Sequence, residues 1–208
     1  MADDTFGFDE TPFLEPAPDE EAWEKYLEFA LDHLDADGSH GLTNAQLAVV
    51  EDALGHELPF EVGLLLVMGV PDGDEWWDWR EAPLDQLRRW QDRVVEGVVF
   101  DVRENDFWSP TFGARPDELD ERAAVAAAFV TGLEPLFPLH GHRAIPVSTP
   151  AGHDSASGNP VLSIMQTDVI EYGRDLADWL HKDFRVPLPT WEMPGERRFP
   201  FWSELTHG

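Results

Sequence analysis

The sequence predicts an α+β fold, because helical and strand-like patterns occupy separate parts of the chain. Between residues 20 and 131, apolar residues recur at three- and four-residue steps, which is the spacing of amphipathic helices. After Gly132, short runs with strand propensity replace that spacing, and one more amphipathic helix follows them. With 208 residues, the chain is long enough for one sizeable core. We therefore predict a single domain over residues 20–186.

The two segments that flank this domain have neither a helical nor a strand period. Residues 1–19 combine acids, prolines and isolated phenylalanines, which predicts an irregular acidic arm. Residues 187–208 are rich in proline and aromatic residues, and we predict an irregular tail that wraps the surface.

Three helices are predicted in the first third of the domain. The first begins at Glu20, and the residues on its apolar face are Trp23, Tyr26, Leu27, Ala30, Leu31 and Leu34. The second begins near Thr43 and stops at Gly55, with Leu47, Val50 and Leu54 inward. Pro59 opens the third, FEVGLLLVMG, and its continuous apolarity predicts central burial.

Two further helical patterns follow. Asp85 is predicted to cap a helix that carries Leu87, Trp90, Val94 and Val98 on one stripe. Residues 117–131 are Ala-rich with an acidic first turn, which suits the helix dipole, and Gly132 ends that helix.

The strand-like runs after Gly132 are HRAIPV, PVLSIMQ and TDVIEYG. The last two predict either two antiparallel strands that turn near Gln166-Thr167-Asp168, or one long strand with a bulge. Gly173 is expected to supply an unusual backbone angle that releases the chain. Asp175 then lies in the first turn of a helix whose shared face is Leu176, Trp179, Leu180 and Phe184.

Several of these segments resemble a known family. GHRAIPV, GNPVLSIMQTDVIEYG and RDLADWLHKDF, in this order, are similar to the C-terminal half of bacterial members of the SUKH superfamily. LGHELPFEVGLLLVMGVPDG resembles the family's helix-Leu-Pro-helix-Gly pattern, with Leu58-Pro59 in the expected place. Two features depart from it: Met68-Gly69 stands where the family often has Asn-Gly, and an insert runs from Asp85 to Gly132.

The resemblance covers roughly residues 43–184, and it implies a particular architecture and role. Helices would pack on one face of a small curved antiparallel sheet, and the final helix would close it. Residues 20–34 and the insert at about 85–132 would be helical additions to this SUKH-like domain. Many bacterial members are immunity proteins that neutralise polymorphic toxins, often nucleases.

The composition predicts an acidic surface. Fourteen Lys and Arg against 42 Asp and Glu give a formal charge of −28. Such a surface repels nucleic acid and anionic membranes and attracts basic proteins, although it also suits solubility or adaptation to salt. The chain has no cysteine, which excludes disulfides and thiolate chemistry. An acidic N-terminus without an apolar spanning run predicts a soluble cytoplasmic protein.

The loop PDGDEWWDWREAP carries three tryptophans, Trp76, Trp77 and Trp79. One interpretation is that these rings cover the core below them. The other is a partner-binding hot spot, in which the indoles supply buried area and Asp74, Glu75 and Asp78 steer a basic partner.

His140 and His142 flank Gly141, and on a strand they would share a face. A metal site with His153 or Asp168 is one reading of this pair. We favour a structural polar network of His142, Arg143 and Asp168, in which Arg143 pairs with Asp168.

Two other motifs are weaker. DADGSHGLTNAQ resembles a calcium loop, but His40 replaces the turn glycine and Gln46 replaces the terminal glutamate. Thr43 and Gln46 instead fit a capping box. The run AGHDSASGN places His153 and Asp154 beside serines in a loop, which is not a catalytic triad. We therefore predict no catalytic residue, no metal and no cofactor.

The expected function is a non-enzymatic protein-binding domain, an immunity protein that neutralises a basic toxin domain by occlusion. One alternative is a regulatory interaction module without a toxin partner. The other is an enzyme that depends on a metal or small molecule and uses His140, His142 and Asp168.

Overall fold

The structure is a computed structural model that describes residues 18–34, 36, 40–71, 73 and 75–206. Within them, four antiparallel strands form one sheet in the order β1-β2-β3-β4. The strands are β1 (Leu136–His140), β2 (Arg143–Pro146), β3 (Val161–Met165) and β4 (Asp168–Gly173). Most of the remaining ordered backbone is helical, so the predicted α+β class is confirmed. Residues 1–17 of the predicted arm lie outside the described residues.

The helices occupy the positions that their apolar spacing predicts, with one addition near the C-terminus. In chain order they are α1 (Glu20–His33), α2 (Asn44–Leu54), α3 (Phe60–Met68), α4 (Pro83–Glu104), α5 (Leu119–Thr131), α6 (Leu176–Phe184) and α7 (Trp202–Leu205). The added helix is α7, which has only four residues and therefore no periodicity that a sequence can display.

The sheet is covered by helices on both faces. Phe137, Ile145 and Val161 face a core that α1, α3 and α6 complete. Leu162 and Ile164 face a second core that α4, α5 and α7 complete. Successive strand residues point to opposite faces, and here both sets are apolar, so both faces need cover. This corrects the one-sided packing that the family resemblance implies, because the insert forms the second layer.

Local signals set most helix ends. Asp19 caps α1 by accepting a hydrogen bond from the backbone N–H of Ala22 at 2.9 Å. Thr43 and Gln46 form the predicted capping box of α2. The prediction that Asp85 caps the fourth helix is wrong, because α4 already begins at Pro83. Proline has a backbone angle suited to the first helical position, and Asp85 follows it within the first turn.

The sequence missed β1, the strand that pairs with β2 on the edge of the sheet. Its central residue, Pro138, argues against a strand because proline cannot donate a ladder hydrogen bond. At an edge that loss is tolerated, since within the described residues no second strand pairs with the other side of β1. Only the position of β1 within the sheet explains the strand.

The last two strand-like runs form a hairpin of β3 and β4, which confirms the alternative of two antiparallel strands. Met165 pairs with Asp168 across the two-residue turn Gln166-Thr167. Asp101 of α4 accepts hydrogen bonds from the Thr167 backbone N–H at 2.9 Å and from its hydroxyl at 2.6 Å. A side chain at Gly97 would lie only 3.1 Å from the Gln166 Cα, so this glycine permits the close approach. The insert therefore holds the hairpin turn.

The predicted tail belongs to the folded body. Trp191 packs against Trp23, with ring centroids 4.9 Å apart, and extends the first core. Phe199, Phe201 and Trp202 are buried in the second core. Residues after 186 thus contribute aromatic area to both layers, and the folded unit extends beyond the predicted boundary.

Gly173 has a role other than the predicted one. Its backbone does not adopt a positive φ. A Cβ at this position would instead lie 2.8 Å from both the backbone N and the Cβ of Trp179. The glycine therefore lets the end of β4 pass directly over the first turns of α6.

We expect Gly173→Ala to lower the free energy of unfolding by about 1–3 kcal/mol, because the added methyl group overpacks a rigid contact. Urea denaturation followed by circular dichroism measures the change. Gly195→Ala is the matched control, since a Cβ there meets no atom within 4 Å. Equal stability of the two variants would contradict the close-packing role.

Candidate protein-binding surface

The tryptophan-rich segment runs alongside the turn between β1 and β2. Trp76 forms an isolated antiparallel bridge with His140. The backbone N–H of Gly141 donates to the carbonyl of Glu75 at 2.8 Å. These bonds anchor residues 75 and 76 against the edge of the sheet, so the loop is held by backbone contacts as well as by its side chains.

The three indoles mainly fill space between the segment and the two cores. Trp79 is buried, and its ring centroid lies 4.6 Å from that of Phe137. Trp76 stacks on Phe184, with centroids 5.2 Å apart. Trp77 lies between Trp79 and Trp90 at centroid distances of 6.1 and 6.3 Å.

This burial separates the three predicted hot-spot residues. Trp79 is only 2% exposed, so it offers a partner almost no surface and fits the alternative interpretation, in which the ring covers the core. Trp76 and Trp77 are half-buried and keep part of their rings accessible.

The carboxylates of the segment differ in what they contact. Asp78 accepts hydrogen bonds from the Arg80 side chain at 2.7 and 3.0 Å, and these bonds lower the pKa of that carboxyl. Glu75 is exposed, with its carboxylate 3.7 Å from Nε2 of His140. Asp74 lies outside the described residues. Of the predicted steering groups in the described part of the chain, Glu75 is therefore the one not engaged by an arginine.

The predicted polar network exists around Arg143, but its carboxylate is a different one. Arg143 Nε lies 3.1 Å from Oδ2 of Asp183, and Nη1 donates to the Ser163 hydroxyl at 2.8 Å. His142 contacts the same guanidinium through Nε2. The guanidinium also lies over the Tyr172 ring, 3.7 Å from its centroid.

Asp168 is not the partner of Arg143, which corrects the predicted pair. It lies opposite Met165 at the tip of the hairpin, whereas Arg143 lies opposite Ser163, nearer the middle of the strand. The last turn of α6 brings Asp183 over that position, and Trp179 Nε1 donates to it at 2.7 Å. The one sequence signal for Asp183 is its four-residue spacing from Trp179 on the same helix face.

The pKa of Asp183 reflects this arrangement. Burial by itself would raise it, but hydrogen bonds from Arg143, Tyr172 and Trp179 outweigh burial and lower the pKa of the carboxyl. The group therefore stays ionised and fastens α6 to the sheet.

The two histidines face different neighbours. His140 packs against Trp76 and Phe184, whereas His142 contacts Arg143. Burial lowers the pKa of both imidazoles, and the nearby Arg143 charge lowers that of His142 further. In the described part of the chain, no three His, Asp or Glu side chains are grouped so as to hold a metal ion. Of the calcium-like loop, Asp35, Asp37 and Ser39 lie outside the described residues.

Sequence reasoning did not predict that two carboxyl groups, Glu61 and Asp175, are buried. Glu61, in the apolar helix α3, is fully buried, and its Oε1 accepts a hydrogen bond from the Gly158 N–H at 2.7 Å. Asp175 is 1% exposed and caps α6 by accepting from the Asp178 N–H at 2.8 Å. Burial raises the pKa of both groups, that of Asp175 to about 6. The lone acid within FEVGLLLVM was the available signal for Glu61.

The outer surface has a large excess of unpaired negative charge. Most of the basic side chains already contact a carboxylate of the same chain, as in Lys25–Glu21, Arg103–Asp120 and Lys182–Asp178. With 42 acidic residues against 14 basic ones, the acidic side chains far outnumber the cations of the chain. The outward side of α1 alone exposes Glu20, Glu21, Glu24, Glu28 and Asp32.

Comparisons of this chain with protein-family models, with curated proteins and with solved structures find no match. The resemblance to the SUKH superfamily therefore stays a prediction. Among the described helices, none combines the length and the apolar character needed to cross a membrane.

We expect Asp175→Asn to stabilise the protein at neutral pH. The folded-state pKa of about 6 lies above the ordinary value, so folding takes up a proton and the free energy of unfolding falls as the pH rises from about 4 to 6. Asparagine retains the cap without the charge and should raise the free energy of unfolding at pH 7.5 by ~2 kcal/mol. At pH 4 the gain should vanish.

Urea denaturation at the two pH values measures this effect. The control is Asp19→Asn at the exposed cap of α1, for which we expect a change below ~0.5 kcal/mol. An Asp175→Asn protein that is less stable than the parent at both pH values would contradict the burial argument.

Proposed function

We propose that this chain is a non-enzymatic protein-binding domain that captures a basic protein and blocks its working surface. The observation that carries the proposal is the uncompensated acidic surface. Most of the described basic side chains already pair within the chain, and the chain has 28 more acidic than basic residues, so its net negative charge attracts cations from outside. A partner with a basic face can supply those cations.

The immunity-protein role follows from the same chemistry. A toxin that acts on nucleic acid must present a basic cleft to the phosphates. An acidic protein that docks over this cleft competes for the same charges and excludes the substrate. Long-range attraction would also speed the encounter, which matters for an inhibitor that has to act before the toxin does. The resemblance to bacterial SUKH proteins supports this choice, and the proposed role is a cytoplasmic one.

A regulatory module without a toxin partner would use the same surface. The two functions differ in consequence, because a regulator binds its partner without abolishing an activity of that partner. Inhibition, rather than binding alone, therefore separates them.

We expect the purified chain to bind and inhibit a basic toxin domain encoded beside its gene, and to do so in a salt-dependent manner. Raising ionic strength from about 0.05 to 0.5 M shortens the Debye length several-fold, so affinity should fall at least about tenfold. Titration calorimetry measures affinity, and the toxin's own substrate assay measures inhibition.

Circular dichroism at both salt concentrations is the control that the chain stays folded. Salt-independent binding, or the absence of inhibition at low salt, would contradict the proposed mechanism. A chain that needs high salt to remain folded would instead indicate that its acidity is an adaptation to salt.

A further inference from the structure

Helix α3 has a second apolar side that faces outward. Val62, Leu65 and Leu66 point into the first core. Phe60, Gly63, Leu64 and Val67 recur at the i, i+3, i+4 and i+7 positions and line a surface groove instead. Phe60 is 38% exposed and Val67 is 37% exposed. The helix is therefore more apolar than its contact with the core requires.

The groove has a volume of about 670 Å³. Leu47 and Glu51 of α2 line it, as do Ser148, Thr149 and residues 154–157 of the loop between β2 and β3. The end of this loop is held against α3, because the Gly158 N–H bonds to the buried Glu61 carboxyl group. A Cβ on Gly63 would meet only Leu47 Cδ2, at 3.8 Å, so there is free space over this glycine.

The charges around the groove are of one sign. Glu51, Glu57 and Asp154 line it, whereas no lysine or arginine of the described residues does. His56 is also present, and its Nε2 lies 3.4 Å from a carboxylate oxygen of Glu134. An apolar floor with a carboxylate rim is complementary to a segment that carries apolar residues on one side and cations on its flanks.

We propose that this groove, the α3 groove, docks an amphipathic basic helix of the partner. The inference rests on the proposed function and assigns it a place on the molecule. The residues that line the groove belong to helices and loops, so the groove offers no strand edge to which an extended peptide adds its backbone hydrogen bonds. A helix satisfies its own backbone and presents apolar anchors to the floor and lysines or arginines to the rim.

Two other occupants are disfavoured by charge. The segment at residues 1–19 contains several acids and no lysine or arginine, and a second copy of the chain carries the same net charge of −28. Either would bring carboxylates against Glu51, Glu57 and Asp154. Electrostatic repulsion opposes both, whereas it favours a cationic segment.

The test uses two synthetic helical peptides and the full-length chain. Each peptide has about 18 residues, roughly five turns, with leucines on one face. One carries lysines on its flanks and the other carries glutamates. Fluorescence anisotropy should show binding of the lysine peptide and none of the glutamate peptide. Equal binding of the two, or failure to bind the lysine peptide, would overturn the proposal.

A double variant, Phe60→Ser and Val67→Ser, tests whether the lysine peptide binds in the α3 groove. We expect it to weaken binding of the lysine peptide about tenfold, since both anchors of the floor are removed. Phe29→Ser is the matched control, because Phe29 is 46% exposed on α1 between the acids Glu28 and Asp32. It should change affinity less than twofold. An equal loss of affinity in the Phe60→Ser and Val67→Ser variant and in the Phe29→Ser control would mean that the peptide binds the acidic surface in general. That result would overturn the proposal that it docks in the α3 groove.

Two further measurements separate the disfavoured occupants. Serine at Phe6, Phe8 and Phe13 should leave the peptide affinity unchanged, and a gain would mean that the acidic arm occupies the groove. Light scattering should show the same mass for the parent and for the Phe60→Ser and Val67→Ser variant. If the parent were a dimer and the variant a monomer, the groove would bind a second copy of the chain, which would overturn the proposal.

The outcomes also distinguish this inference from the function on which it rests. If the toxin domain binds the Phe60→Ser and Val67→Ser variant as tightly as the parent, the α3 groove is not the docking site and the proposed function stands. If the lysine peptide binds in the groove and no toxin domain is inhibited, the groove stands and the immunity role fails.

Discussion

Both faces of the four-stranded sheet are apolar, and covering both of them is the constraint on which the rest of the structure depends. A sheet in which Ile145 and Val161 point one way and Leu162 and Ile164 the other cannot be stable with helices on one side only. The long pair α4 and α5 is therefore a structural layer rather than an appendage. Asp101 joins this layer to the sheet by binding the hairpin turn at Thr167.

The same constraint accounts for the use of aromatic residues. A sheet of four short strands supplies few large side chains, so tryptophans from the loops and from the C-terminal segment complete the cores. Trp79 packs on Phe137, and Trp191 packs on Trp23 and Tyr26. Aromatic residues that resemble a binding motif in the sequence are thus largely buried in the cores. What remains outside is a surface dominated by carboxylates.

Helix α3 is where interior and surface requirements meet. One side packs against α1 and the sheet, and the buried Glu61 ties it to the loop at Gly158. The other side is apolar and lines the α3 groove together with the acids Glu51, Glu57 and Asp154. An apolar groove in an otherwise strongly charged surface concentrates the hydrophobic contribution to binding at one place, while the surrounding charges act over a longer range. This division of roles suits the capture of a basic partner that we propose.

The sequence by itself determined the local features of this protein. The spans of α1 to α3, the capping box at Thr43 and the net charge all depend on residues a few positions apart or on composition. Such features follow from periodicity and from backbone hydrogen bonds that close within one turn. They needed no knowledge of where the elements lie in space.

Only the tertiary structure decided which distant groups meet. It paired Arg143 with Asp183 instead of Asp168, and it buried Trp79. It also placed β1 at an edge of the sheet, where Pro138 is tolerated, and brought Gly173 into close contact with Trp179. It also left one side of α3 open, although its sequence predicts burial all round. The packing of the layers decides which residues meet in these contacts. Apolar spacing predicts that a helix face is buried, but it does not predict which element covers that face.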